Sequence, residues 1–348
     1  MTEPSTPETL SGRPELAVGV VLAGRYRLGR RLGSGGMGEV WSAEHVTLHT
    51  QVAVKVLLAE ALGIPEIVGR FEREAVLLAL MHSEHLPHAL EFLVDDLYGP
   101  LLVTELVEGR SLAAVLARPL SVEQAIELGI DLATGVAELH RAGVVHRDIK
   151  PGNVILRPVE HGRTRAVLID LGVSRLVDDP PDMTPGDLVV GTVSYMAPEQ
   201  ILGCGAVTGA SDLYALGALL YRAVTGGHVF GPGSDRLELV RTKLMCEAPP
   251  MPTGRHDPVA LGLATVVASA LERNPTRRYQ SAEEMRADLF HLRDLAAQRA
   301  RRANAETGGR PACPDAEPTT SGPISSMVEA VRSVGRRLAS AAMMLTRS

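Results

Sequence analysis

Cysteine is scarce: Cys204, Cys246 and Cys313 are the three in 348 residues, far apart and odd in number. That argues against a disulfide framework and against a cysteine-based zinc site, and it suits a reducing compartment. Long apolar runs are also missing. No stretch approaches the roughly 18 apolar residues that mark a membrane-spanning helix. The opening MTEPSTPETLSGRPE lacks the basic-then-apolar order of a secretory signal. A cytoplasmic location is the expectation. No large excess of positive charge is present either: 35 Lys and Arg stand against 41 Asp and Glu, a net charge of −6. Nothing here supports a protein built to coat nucleic acid. Internal repeats are not visible. The composition, 45% hydrophobic and 22% charged, is that of an ordinary globular protein, and the length allows two lobes with appendages.

Glycine is plentiful, and LGSGGMGEVW at 32–41 sets Gly33, Gly35 and Gly38 in the pattern G-x-G-x-x-G. Two unrelated phosphate-binding devices share that pattern, and alone it is a weak signal. RYRLGRRLG before it and GEVWSAEH after it read as strands, and TQVAVKVLL reads as a third. A dinucleotide fold needs strand, glycine loop, then helix. Here a strand follows, which leaves a glycine hairpin. An ordinary turn needs one or two such glycines rather than this spacing.

PEIVGRFEREAVLLALM, 65–81, places Ile67, Phe71, Ala75 and Leu78 at helical spacing. LLVTELVEG reads as a buried strand ending at Gly109. A long amphipathic helix is expected from Ser121 to His140, with Ser121 as N-cap and Gln124 completing a capping box. SDLYALGALLYRAVTG and LGLATVVASALERNP follow as buried helices, and SAEEMRADLFHLRDLAAQRA closes the domain. A strand-rich front and a helical back give an α+β fold with a cleft between two lobes. The expected divisions are a disordered leader at 1–19, an N-lobe at about 20–108 and a C-lobe at about 109–300. A flexible linker at 301–323 and an amphipathic helix at 324–348 follow. On that last helix Ile324, Val328, Val331, Leu338 and Leu345 share a face, with Arg332, Arg336 and Arg337 elsewhere. The pattern admits a peripheral membrane or partner contact. Docking onto the rest of the chain, or fraying in solution, is the competing reading.

VVHRDIKPGNVIL at 144–156 and VLIDLG at 167–172 carry the most chemistry. With the glycine hairpin and VAVK, their order and spacing resemble the protein-kinase signature set. The sequence resembles bacterial serine/threonine protein kinases of the eukaryotic-like type over roughly residues 20–296. The resemblance implies a bilobal protein-kinase fold, with a small β-rich N-lobe and a larger helical C-lobe. It also implies transfer of the γ-phosphate of ATP to serine or threonine hydroxyls of proteins, the chain itself included. Mg²⁺, or Mn²⁺ in its place, would assist, and a transient homodimer would serve autophosphorylation.

Residue by residue, the resemblance implies that the hairpin Leu32, Gly33, Ser34, Gly35, Gly36, Met37 and Gly38, with Val40, folds over the nucleotide. Ala53 and Ile155 would cover the adenine, and the backbone at Glu105 and Val107 would hydrogen-bond it. Lys55 would hold phosphate oxygens, paired with a glutamate of the 65–81 helix. Glu74 borders the buried stripe more closely than its rival Glu72, and it matches the family's helix glutamate. Asp148 would accept the hydroxyl proton, and Lys150 would reach the γ-phosphate, the serine/threonine arrangement. Asn153 and Asp170 would ligate the metal with oxygen, as Mg²⁺ requires. His146 is expected to be structural. Glu199 would pair with Arg278, and Asp212 would brace the catalytic loop. Leu171 departs from the usual phenylalanine. Thr184 is the candidate for a regulatory phosphate facing Arg147, unless the acidic neighbours of Thr184 already supply the charge. A pseudokinase usually lacks the lysine or one of the aspartates; all are present here. A small-molecule phosphotransferase of related fold would lack GTVSYMAPE, which belongs with protein substrates.

Overall fold

The computed structural model describes residues 13–35, 38–170, 190–203, 207–231, 235–253 and 257–307. Gly36, Met37, Leu171, Thr184 and the segment 324–348 lie outside the described residues.

The N-lobe is built on β1 (Val21–Leu22), β2 (Tyr26–Ser34), β3 (Gly38–His45), β4 (Gln51–Leu57), β5 (Ala89–Asp95) and β6 (Gly99–Glu105). They form one antiparallel sheet in the order β1-β2-β3-β4-β6-β5. Alternation in β4 drives Val52, Val54 and Val56 into the core with Trp41, Leu101 and Val103. Ala53 and Lys55 therefore share the other face, as period-2 geometry dictates. Between β4 and β5 lie α1 (Ala59–Leu62) and α2 (Pro65–Leu80). Proline at its first turn starts α2, and the buried stripe Phe71, Glu74, Ala75 and Leu78 seats it on the sheet.

Residues 13–19 are not the disordered leader expected. Arg13 Nη1 donates to the Leu57 carbonyl at 2.9 Å, and the guanidinium lies over the Tyr98 ring at 4.8 Å. Leu16 packs against the N-lobe core. A guanidinium stem covering an aromatic ring gives these polar residues a reason to dock.

The C-lobe contains β7 (Arg110–Ser111), α3 (Leu112–Val115), α4 (Val122–Arg141), β8 (Val154–Pro158) and β9 (Thr164–Leu168). Then come α5 (Val190–Val193), α6 (Pro198–Leu202), α7 (Gly209–Thr225), α8 (Arg236–Met245), α9 (Pro258–Ala270) and α10 (Ala282–Thr307). The Ser121–Gln124 capping box forms as expected. α7 is buried from Ser211 to Tyr221 and packs on α4 and α9, while α10 packs on α4 and α9. β7, β8 and β9 make a small antiparallel sheet behind the cleft.

Two boundaries move. β6 ends at Glu105, not Gly109, because its ladder with β4 ends at Val52 opposite Glu105. Gly109 has φ +155°, and a side chain there would strike the Leu156 carbonyl. α10 runs to Thr307, through residues 301–307 of the expected linker. ARRANAET is rich in strong helix formers, and Gly308 and Gly309 come only after it.

Candidate active site

The two lobes meet at Lys55. From the cleft face of β4, Lys55 Nζ donates to Glu74 Oε1 at 2.8 Å and Oε2 at 3.0 Å. It also donates to Asp170 Oδ1 at 2.7 Å, which joins N-lobe to C-lobe. Burial works against the lysine charge, but Glu74 and Asp170 outweigh it and hold Lys55 above the ordinary lysine value. Burial raises Glu74 against the pull of Lys55. Asp170 is held below the usual carboxylate range by Lys55, with burial opposing. Glu72, the rival partner, is exposed.

Asp170 follows β9 with φ +63°, a conformation uncommon for a residue with a side chain. The backbone before it is fixed: Ile169 N–H donates to the Asn153 carbonyl at 2.8 Å, and Leu168 N–H to the His85 carbonyl at 2.9 Å.

Residues 144–150 have no regular structure, so side chains must hold their backbone. Asp212 does so from α7, accepting the N–H groups of His146 and Arg147, each at 2.8 Å. His140 Nε2 lies 2.9 Å from the same carboxylate. Arg147 has φ +65°, and its carbonyl accepts Gln200 Nε2 at 3.0 Å. His146 is fully buried, and its Nδ1 accepts the Asp148 N–H at 3.3 Å. Burial pulls it below the ordinary histidine value, so it is neutral and structural.

Asp148 Oδ2 accepts Lys150 Nζ at 2.7 Å and Asn153 Nδ2 at 3.1 Å. Asn153 Nδ2 also donates to the Asp148 carbonyl at 2.9 Å. The amide nitrogen is thereby committed, and the amide oxygen takes no part in these two bonds. No cluster of three or more His, Cys, Asp or Glu able to hold a metal occurs among the described residues.

The glycines divide by role. A side chain on Gly38 would meet the Val56 carbonyl at 2.5 Å, so that position is required by the sheet. Gly33 and Gly35 have no atom within 4 Å of such a side chain, so open space lies beside both. Gly35 N–H closes the hairpin on the Gly38 carbonyl at 2.9 Å. Leu32, Ser34 and Val40 lie on its strands. Ile155 sits on β8 opposite Val167, and Ala53 lies opposite Thr104 on β6. Glu105 N–H is taken by the His88 carbonyl at 2.9 Å, and Glu105 Oε2 pairs with Arg157 of β8 at 3.0 Å. Val107 follows outside the sheet.

Glu199 and Arg278 pair as expected, Nη1–Oε1 2.7 Å and Nη2–Oε2 2.8 Å. Ser211 completes the carboxylate at 2.7 Å. Arg278→Met is expected to lower the unfolding free energy by about 3–5 kcal/mol, since it strands a largely buried carboxylate. Urea denaturation reads this, and a change below about 1 kcal/mol would show the pair to be dispensable.

Sequence reasoning missed Gln200, His140, Arg157 and Lys243. Each acts through a contact far along the chain. Only Lys243 had a local signal, four residues after the buried Leu239 on α8.

Among the described residues no helix is long and apolar enough to cross a membrane. A match to the protein kinase domain family covers residues 26–290. The chain is 37% identical over 280 residues to the serine/threonine-protein kinase PknB of Mycobacterium leprae, covering 78% of this chain and 43% of that protein. It is 36% identical over 270 residues to PknA of Mycobacterium tuberculosis, covering 76% of this chain and 60% of that protein. It thus spans about two fifths to three fifths of these relatives' length. The crystal structure of the Mycobacterium tuberculosis PknI kinase domain, in a double-mutant form, is similar at TM-score 0.60 and 25% identity. That similarity covers 80% of this chain and all of the other. The two-lobed fold agrees with these likenesses, and the chain belongs to the protein kinase family.

Proposed function

We propose that the chain is an ATP-dependent serine/threonine protein kinase. The carrying observation is the convergence of Lys55, Glu74 and Asp170 next to a loop that presents Asp148 with Lys150 and Asn153. Phosphoryl transfer needs positioning and charge neutralisation more than covalent chemistry from the protein. Gly33 and Gly35 leave the space in which backbone N–H groups approach phosphate oxygens. Lys55, with Leu32, Ser34 and Val40 nearby on the hairpin strands, holds the phosphates; Ala53 and Ile155 enclose the adenine. The Glu105 carbonyl and the Val107 N–H are the hinge groups for its edge.

Asp170 and Asn153 would supply oxygen donors for Mg²⁺, the hard ligands that ion takes. The ion, when bound, neutralises phosphate charge. Asp148 Oδ2 is taken by Lys150 and Asn153, so Oδ1 faces the acceptor. The acceptor oxygen bonds to the γ-phosphorus as the bond to the β-phosphate oxygen breaks, and its proton passes to Asp148. Lys150, bonded to Asp148 at 2.7 Å, would meet the transferring phosphoryl oxygens. Autophosphorylation between two copies in a transient homodimer, in a reducing cytoplasm, completes the reading.

Incubation with γ-labelled ATP and Mg²⁺, then phosphoamino-acid analysis of the chain and an added protein, tests it. Phosphoserine or phosphothreonine is expected. Nucleotide binding with no transferred label would instead mark a nucleotide-sensing scaffold.

A further inference from the structure

Lys243 is the one lysine of α8, on a helix otherwise mostly open to solvent, yet it is 1% exposed. Its Nζ donates to three backbone carbonyls of a single stretch: Val193 at 2.8 Å, Ser194 at 3.0 Å and Met196 at 2.6 Å. An ammonium has three donors and no acceptor. Three carbonyls use all of them, and a buried ammonium is tolerated only when its donors are satisfied. The stretch it holds is itself buried from Val193 to Ala197.

That stretch leads directly to α6. The Ala197 N–H closes on Gln200 Oε1 at 2.9 Å, and Gln200 Nε2 reaches the Arg147 carbonyl at 3.0 Å. Arg147 directly precedes Asp148. Residues 193–197 are therefore pinned at two points, by Lys243 from α8 and by Gln200 beside the proposed base. These contacts run to the Asp148 side of the site, whereas Lys55, Glu74 and Asp170 form their own cluster with one another.

We infer that Lys243 is a positioning residue for the polypeptide acceptor, fixing the wall at 193–196 beside which the hydroxyl-bearing chain must pass to reach Asp148. The inference rests on the reading of Asp148 as the base. A hydroxyl has to come within about 3 Å of that carboxylate, and a misplacement of about 1 Å can cost about 10²-fold. A wall free to shift would weaken peptide engagement while leaving the nucleotide cluster in place.

The ammonium form is the one that satisfies all three carbonyls; a neutral amine has two donors. Burial brings Lys243 down to about 7, with Glu199 opposing and Arg278 adding to it. Besides Glu199 on α6 and Arg278 after α9, the groups facing it are Tyr214 of α7, whose ring lies 5.1 Å away, and His228. Glu199 is shifted down and Tyr214 up, both away from neutrality. His228 is held below its ordinary value by burial, Arg222 and Lys243. As pH rises through neutrality, the shifted group in this cluster that loses charge is Lys243.

A serine peptide chosen by the wild-type protein from an arrayed library serves as the probe. Lys243→Met is expected to raise the peptide KM about tenfold and to leave the ATP KM within about twofold. In wild type the peptide KM should climb between about pH 6 and about pH 8.5 as the third donor is lost, and Lys243→Met should lose that climb. Lys243→Gln, which keeps two donors and cannot titrate, reads the same comparison should the methionine variant not fold. Should neither fold, a wild-type peptide KM that stays flat over that range overturns the inference. So does a folded variant with wild-type peptide KM and pH profile, or one in which both KM values rise together. Asp148→Asn is assayed alongside. Activity surviving there overturns the reading of the site itself, whatever Lys243 does.

Discussion

Asp148→Asn is expected to bind ATP with near wild-type affinity and to lose about 10²–10⁴-fold in phosphotransfer. The asparagine keeps the shape of the carboxylate but cannot take a proton. Asp148 bonds Lys150 and Asn153 rather than the Lys55 cluster, so its charge matters to the hydroxyl more than to the nucleotide. Asp170→Asn should behave differently. It removes a charged oxygen that Lys55 holds and that is proposed above as a metal ligand, so Mg²⁺–ATP binding itself should weaken. Calorimetric titration of both variants with ATP, with and without Mg²⁺, separates the cases. Equal loss of ATP affinity in the two would sink the division of roles.

Lys55→Met should leave a folded protein with activity lower by about 10²–10³-fold, the usual cost of deleting a preorganised electrostatic stabiliser. The structure adds a second signature. Glu74 is buried, and its carboxyl is already raised by that burial while Lys55 pulls it down. With the lysine gone the carboxyl is raised further. A raised folded-state value means that the native state binds the proton more tightly than the unfolded chain does. Stability from this group is therefore full below the ordinary glutamate value and is lost as pH rises through the raised one. The melting temperature of Lys55→Met, relative to wild type, should fall as pH is raised from about 4.5 toward neutrality. Circular dichroism follows the melt. Near wild-type activity in the variant would refute the role given to Lys55.

Much of this was legible because the chemistry is written in contiguous fragments. Lys55 and Ala53 share a face by simple alternation, and Glu74 follows from a helical stripe. What escaped was set by partners far along the chain. β5 has an inverted pattern: Leu90, Phe92 and Val94 are exposed, while Glu91 and Asp95 are turned toward β1 and β2. Glu91 accepts the Tyr26 hydroxyl at 2.5 Å, and Asp95 accepts the Ala23 N–H at 2.6 Å. Read for hydrophobicity, such a strand points the wrong way. Lys243 offers only its spacing from Leu239 until its three carbonyls are seen. Gln200 and His140 are ordinary helix residues until Arg147 and Asp212 are brought beside them.

The docked residues before β1 and the long end of α10 also define how this chain can be shortened. The family match begins at Tyr26 and ends at Phe290. A chain trimmed to those limits would lose Leu22, which is 0% exposed, and Leu292, which is 5% exposed. It would also uncover the Tyr98 ring by removing Arg13. Fresh apolar surface opens at both cuts, one on each lobe, and such surface invites self-association. Fragments meant to stay monomeric should keep Arg13 through Thr307, a wider span than recognition of the family requires.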